Sequence, residues 1–108
     1  MALDLPQPIA AYFGAVNARD IRGVIRCFAA GAVVKDEGQE YRGIEAIRSW
    51  IKAAIQKYDF AVEPTELVEA GGQSIVTGVL SGNFPGSPIG VRHRFTFEGQ
   101  KIARLEIG

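Results

Sequence analysis

Ile89-Gly90-Val91-Arg92-His93-Arg94-Phe95-Thr96-Phe97-Glu98, closed by the turn Gly99-Gln100 and followed by the run from Lys101 to Ile107, is the stretch that decides the fold. Its period is two. Ile89, Val91, His93, Phe95 and Phe97 share one face, and Gly90, Arg92, Arg94, Thr96 and Glu98 share the other, as in a half-buried strand. Upstream, Asn83-Phe84-Pro85-Gly86-Ser87-Pro88 reads as a loop that two prolines hold rigid, and Ser74 to Phe84 is rich in β-formers. Before the Gly71-Gly72 turn, Phe60 and Val62 alternate with Asp59 and Glu63, and Pro64 either bulges that strand or places it at an edge. Gly78, Gly82 and Gly90 permit the bends of a strongly curved sheet.

The N-terminal half has a different period. Pro8 suits a first helical turn, and Ile9, Tyr12, Phe13 and Val16 follow at i, i+3, i+4 and i+7. Asp20 is placed to cap a second helix with a stripe of Ile21, Val24, Ile25 and Phe28, predicted to end near Gly31. Ala32 to Asp36 reads as a short strand running into a polar turn, Glu37-Gly38-Gln39-Glu40. A third helix then carries Ile44, Ile47, Trp50, Ile51, Ala54 and Ile55 on one face. Helices segregated ahead of an antiparallel meander define an α+β fold of order α-α-β-α-β-β-β-β. The expected shape is a cone: three helices packed on a curved, mainly antiparallel sheet, enclosing a cavity suited to a small ligand unless side chains fill it.

Composition narrows the function classes. The chain's 108 residues, 47% of them hydrophobic and 22% charged, suit a single domain spanning 1–108. Twelve basic residues balance twelve acidic ones, so no net field gathers nucleic acid or an anionic membrane. The N-terminus lacks a signal-peptide pattern, and no window approaches the ~18 apolar residues of a membrane span. Cys27 is the single cysteine and is read as a small apolar filler, which together with the absence of disulfides points to the cytoplasm. One histidine without a thiolate pair makes a poor metal site, and no phosphate loop, nucleophile elbow or dinucleotide fingerprint is present. No metal and no cofactor are expected.

Three residues carry the chemistry. His93 points inward and needs partners for both ring nitrogens, as a core histidine or as a ligand-facing group. Asp36 closes an apolar strand, where a carboxylate either caps the turn or sits at raised pKa as a general base. Tyr12 lies on an apolar helix stripe, and its hydroxyl needs a partner if buried. Trp50, Phe28, Phe60, Phe84 and Phe95 are the candidate substrate-binding aromatics.

The strings Tyr12-Phe13-Gly14-Ala15-Val16-Asn17-Ala18-Arg19-Asp20, Phe28-Ala29-Ala30-Gly31-Ala32-Val33-Val34-Lys35-Asp36 and Gly43-Ile44-Glu45-Ala46-Ile47 resemble the nuclear-transport-factor-2-like superfamily, in its SnoaL-like and ketosteroid-isomerase-like branch. The resemblance spans essentially the whole chain. It implies a cone with a pocket, frequent pairing through the sheet, and activities from isomerases, cyclases and dehydratases to non-enzymatic binding. Against the ketosteroid isomerases, Tyr12 falls at the oxyanion-hole tyrosine and Asp36 at the proton-shuttling base. His93, Phe95 and Phe97 fall at the inward acid and two phenylalanines of the matching strand. Histidine in place of a protonated acid departs from that family and puts the same activity in doubt. The resemblance therefore implies a protein that binds a small hydrophobic molecule, cyclic or polyketide-like, and that works, if catalytic, with Asp36 as base and Tyr12 and His93 as hydrogen-bond donors. A non-catalytic ligand-binding or dimerisation domain is the alternative, and a homodimer is expected through the outer face of the sheet.

Overall fold

The computed structural model describes residues 3–108. Helix α1 (Gln7–Asn17) has proline in its first turn, where a missing N–H costs nothing, and buries Ile9, Tyr12, Phe13 and Val16. Asp20 caps α2 (Ile21–Arg26), its carboxylate accepting the Gly23 N–H at 3.0 Å. The α2 helix stops five residues short of Gly31. Phe28 matches the helical stripe, but it opens strand β1 (Phe28–Asp36) and pairs with Ile102, while Cys27 caps the helix and its carbonyl accepts the Ile102 N–H at 2.8 Å. Long-range strand pairing here overrides a local helical period.

The polar turn after Asp36 is also shorter than its sequence suggests. Glu37 and Gly38 both have positive φ (53° and 77°), the geometry of a two-residue turn whose twist matches a hairpin. The next four residues form strand β2 (Gln39–Arg42) against β1, with Asp36 opposite Gln39 and Val33 opposite Arg42. Gly43 then leads into α3 (Ile44–Tyr58), which buries Ile47, Trp50 and Ile51.

Strands β3 (Ala61–Ala70), β4 (Gln73–Ser81), β5 (Ile89–Glu98) and β6 (Lys101–Ile107) form the meander, and the six-stranded sheet runs β2-β1-β6-β5-β4-β3. All pairs are antiparallel except β1 with β6, which is parallel. This is the expected α+β cone with one strand more. β4 ends at Ser81, so Phe84 belongs to the following loop rather than the strand. Pro64 satisfies both of its sequence readings, since β3 is an edge strand and its register shifts between Pro64 and Glu66.

The three helices cover the concave face. Val91, His93 and Phe95 point inward as their alternation predicts, whereas Ile89, expected on the same face, is 47% exposed at the start of β5. Tyr12, Phe13, Phe28 and Phe95 pack edge to face at centroid separations of 5.2 to 5.9 Å. Truncating a core ring such as Phe95, which is fully buried, costs about 3–5 kcal/mol. Asn17 clamps α1 to β3: its amide donates to the Val62 carbonyl and accepts the Val62 N–H, each at 2.8 Å. None of the described helices is long and apolar enough to cross a membrane.

Candidate active site

Curvature leaves a cavity of about 600 Å³ between the helices and the concave sheet, and Tyr12, Asp36 and His93 all line it. They arrive from α1, the end of β1 and the middle of β5. Their walls are apolar: Phe13 and Val16 from α1, Val62 and Leu80 from β3 and β4, and Val91 from β5.

Asp36 is held by α3. The Trp50 indole Nε1–H donates to Asp36 Oδ2 at 3.0 Å, which fixes one carboxylate oxygen and leaves Oδ1 without a side-chain partner. Burial pushes the Asp36 pKa above the usual carboxylate value, and the Glu37 charge adds to that, while the Trp50 and Glu37 N–H bonds pull it back. The result is a carboxylate that gains from taking up a proton.

Tyr12 is 3% exposed, and its hydroxyl bonds to no protein group. Every buried side-chain nitrogen or oxygen among the described residues has a partner, so the Tyr12 hydroxyl opens onto the cavity. Burial raises its pKa, with the Asp36 and Cys27 charges adding to the rise. It keeps its proton and is available as a donor.

His93 is almost fully buried, with Phe13 edge-on at 5.2 Å and Phe95 stacked at 6.4 Å. Burial lowers its pKa to about 4 against the opposing effect of the Val91 and Val76 carbonyls, so the ring is neutral at pH 7. Its Nδ1 lies 3.1 Å from the Val91 carbonyl oxygen. A carbonyl oxygen only accepts, so this contact favours the proton of the neutral ring on Nδ1.

Of the predicted substrate-binding aromatics, Trp50, Phe60 and Phe84 line the cavity. Phe28 and Phe95 lie behind it, in the core against Tyr12. Phe84 and Pro85 bring the proline-rich loop to the cavity, and the loop is tied to α3 by the Asn83 N–H on the Tyr58 carbonyl at 2.7 Å. Two rim residues went unread in the sequence. The Tyr58 hydroxyl donates to Glu37 Oε1 at 2.9 Å, and both residues also border a neighbouring depression of about 260 Å³. An exposed acid in a turn and a tyrosine at a helix end give no sequence signal of such a contact.

Comparison with known proteins agrees with this architecture. Residues 9–105 match the SnoaL-like domain. The chain belongs to the SnoaL-like domain family. It is 39% identical to a candidate polyketide cyclase from Sinorhizobium meliloti, covering 97% of this chain and 96% of that one, with a TM-score of 0.94. Two more distant structures share the fold. One is a protein with a ketosteroid isomerase-like fold from Catenulispora acidiphila, crystallised with trimethylamine (20% identity, coverage 97% and 86%, TM-score 0.84). The other is SalBIII, an epoxide hydrolase/cyclase-like enzyme of pyran-ring formation in salinomycin (20% identity, coverage 94% and 86%, TM-score 0.81). No curated protein matches the chain.

The polar side chains of this SnoaL-like cavity are carboxylate, phenol and imidazole, and among the described residues no three His, Cys, Asp or Glu side chains are grouped to hold a metal. What they can do is move protons and polarise an oxygen.

Proposed function

We propose that the cavity binds a small hydrophobic molecule, cyclic or polyketide-like, and that the protein is a cofactor-independent acid/base enzyme of isomerase, cyclase or dehydratase type. One observation carries this reading: the Asp36 carboxylate, fixed by Trp50, shares an apolar cavity with a Tyr12 hydroxyl that no protein group uses. Asp36 is the general base that takes a proton from the carbon beside a carbonyl. Tyr12 donates to the carbonyl oxygen as it gains charge, and such a donor is effective because it is held in place among apolar walls. Returning the proton elsewhere isomerises the substrate, expelling a β-hydroxyl dehydrates it, and attack of the carbanion on a second carbonyl closes a ring. The name of the Sinorhizobium relative supports the polyketide-like substrate and the cyclase outcome. The cavity volume falls within the ~300–1,000 Å³ of sites that enclose small molecules.

Deuterium uptake tests the chemistry. Cyclic ketones incubated with the protein in deuterated buffer are expected to exchange their α-protons faster than buffer alone allows, and Asp36→Asn is expected to abolish the gain. Ketones that bind without exchange would favour a non-catalytic ligand-binding domain.

The protein is also proposed to pair as a homodimer through the outer face of the sheet, where Val68 is 48% exposed.

A further inference from the structure

We infer that His93 is the cavity's hydrogen-bond acceptor, so that the ligand carries a hydroxyl or N–H group facing Nε2 in addition to the carbonyl taken by Tyr12. This rests on the cavity being the ligand site, as proposed above. A carbonyl oxygen only accepts, so the Nδ1 facing Val91 carries the proton of the neutral ring, and Nε2 is left with a lone pair.

The ring has little freedom to exchange the two nitrogens. Gly78 lies beneath it, where a Cβ would stand 3.2 Å from Cε1 and 3.5 Å from Nδ1, so the missing side chain is what lets the ring lean over to the backbone. Phe13 and Phe95 hold its other sides. Nδ1 to Val91 is the ring's one well-formed hydrogen bond, the Val76 carbonyl acting on the ring without one, and no buried side-chain nitrogen or oxygen among the described residues lacks a partner, so Nε2 opens onto the cavity that His93 lines.

The polar groups that remain define the ligand by complement. Trp50 occupies Asp36 Oδ2, and the Tyr58 hydroxyl is engaged by Glu37. Besides the rim carboxylate of Glu37, the side chains leave a ligand one donor, the Tyr12 hydroxyl, and two acceptors, Asp36 Oδ1 and His93 Nε2. A molecule with only carbonyl or ether oxygens turns a lone pair toward the lone pair of Nε2. A hydroxyl there donates instead, and among apolar walls that difference is worth about tenfold in affinity.

The chain has one histidine, so nitrogen-15 spectra of the labelled imidazole report on His93 alone. At neutral pH the expected spectrum shows a protonated Nδ1 and an unprotonated Nε2. The binding probes are the phenolic hydroxyindanones, each compared with its methyl ether. At least one hydroxyindanone should bind about tenfold more tightly than its ether and shift the Nε2 resonance. His93→Asn keeps an amide N–H near the Nδ1 position and lacks any group at Nε2, so it should lose that preference. A proton on Nε2, or on both nitrogens, at neutral pH overturns the inference without need of a variant. So do hydroxyindanones that all fail to bind better than their ethers, whether or not they bind at all. Deuterium exchange that fails while the hydroxyl preference stands would refute the proposed chemistry and leave the role of His93 intact.

Discussion

Trp50 Nε1 donates to Asp36 Oδ2 over 3.0 Å, joining the middle of α3 to the last residue of β1. The bond fixes Oδ2 and leaves Oδ1 without a side-chain partner, and it lowers a pKa that burial raises. Trp50→Phe keeps an aromatic wall and removes the donor. The Asp36 pKa should then climb further, and the acid limb of the pH–rate profile should move to higher pH. Stability should fall by about 1–3 kcal/mol, as for a lost bond to a charged group. An unmoved acid limb would disconnect Asp36 from the rate.

Asp36→Asn should separate activity from stability. In the folded protein the Asp36 pKa lies above its ordinary value of 3.8, so the fold favours the protonated form and is penalised once the carboxylate ionises. That penalty is absent below the ordinary value and develops as pH rises through the folded one. Asparagine remains neutral and can still accept from Trp50. The variant is expected to lose proton exchange by ~10²-fold or more while its thermal midpoint at pH 7 equals or exceeds that of the wild type. The two midpoints should converge in acid. A variant that is much less stable at pH 7 would show that the charge supports the fold.

Tyr12→Phe removes a hydroxyl that no protein group uses, so its stability cost should be close to zero. Its catalytic cost should be large, about 10²–10³-fold in kcat, because in the proposed reaction the hydroxyl is the donor to the oxygen that gains charge. Denaturant unfolding and steady-state rates measured side by side check this. A rate close to wild type would leave Tyr12 as packing alone.

These residues mark how far the sequence was legible. Period two placed His93 and Phe95 inward, and period 3.6 placed Tyr12 and Trp50 inward, because each pattern responds to the single buried face of its element. What escaped depends on partners distant in the chain. Phe28 fits a helical stripe and becomes strand only because Ile102 pairs with it. The parallel contact of β1 with β6 joins the first strand to the last, and β2 is a four-residue polar edge with no period to read. The partners of the site residues were hidden for the same reason. Asp36 finds an indole fourteen residues away, and His93 finds the backbone carbonyl of Val91. Gly78 read as a point of bending and proves to be the seat of the imidazole.

Burial of His93 makes the protein acid-sensitive. Its folded pKa, about 4, lies below the ordinary 6.5, so stability is whole above 6.5 and is lost as pH falls, because the unfolded chain takes up the proton first. The loss is complete near pH 4 and amounts to roughly 3 kcal/mol. Unfolding free energies across this range, compared with those of His93→Asn, isolate the contribution. A wild-type curve with the same slope as the variant's would show that the ring titrates normally in the fold.

The outer face of the sheet carries the last prediction. Arg92 and Arg94 project from it, and in two apposed copies like charges would repel unless carboxylates faced them. The register supplies one, with Arg94 directly opposite Glu106 on β6. Arg104 lies 3.5 Å from both Glu40 and Glu106, so charges on this face are balanced within one chain. Beside them, toward the β3 edge, stand Val68 and Ile75, paired across β3 and β4, with Thr77 and Val79 along the same strand, a largely apolar strip that a two-fold copy could cover. Sedimentation equilibrium at micromolar concentration is expected to return a dimer. Ile75→Lys, which sets a charge beside Arg94 in the neighbouring strand, should shift it to monomer without altering the cavity. A monomeric wild type under those conditions would remove the dimer and leave the site chemistry untouched, since the cavity lies on the opposite face of the sheet.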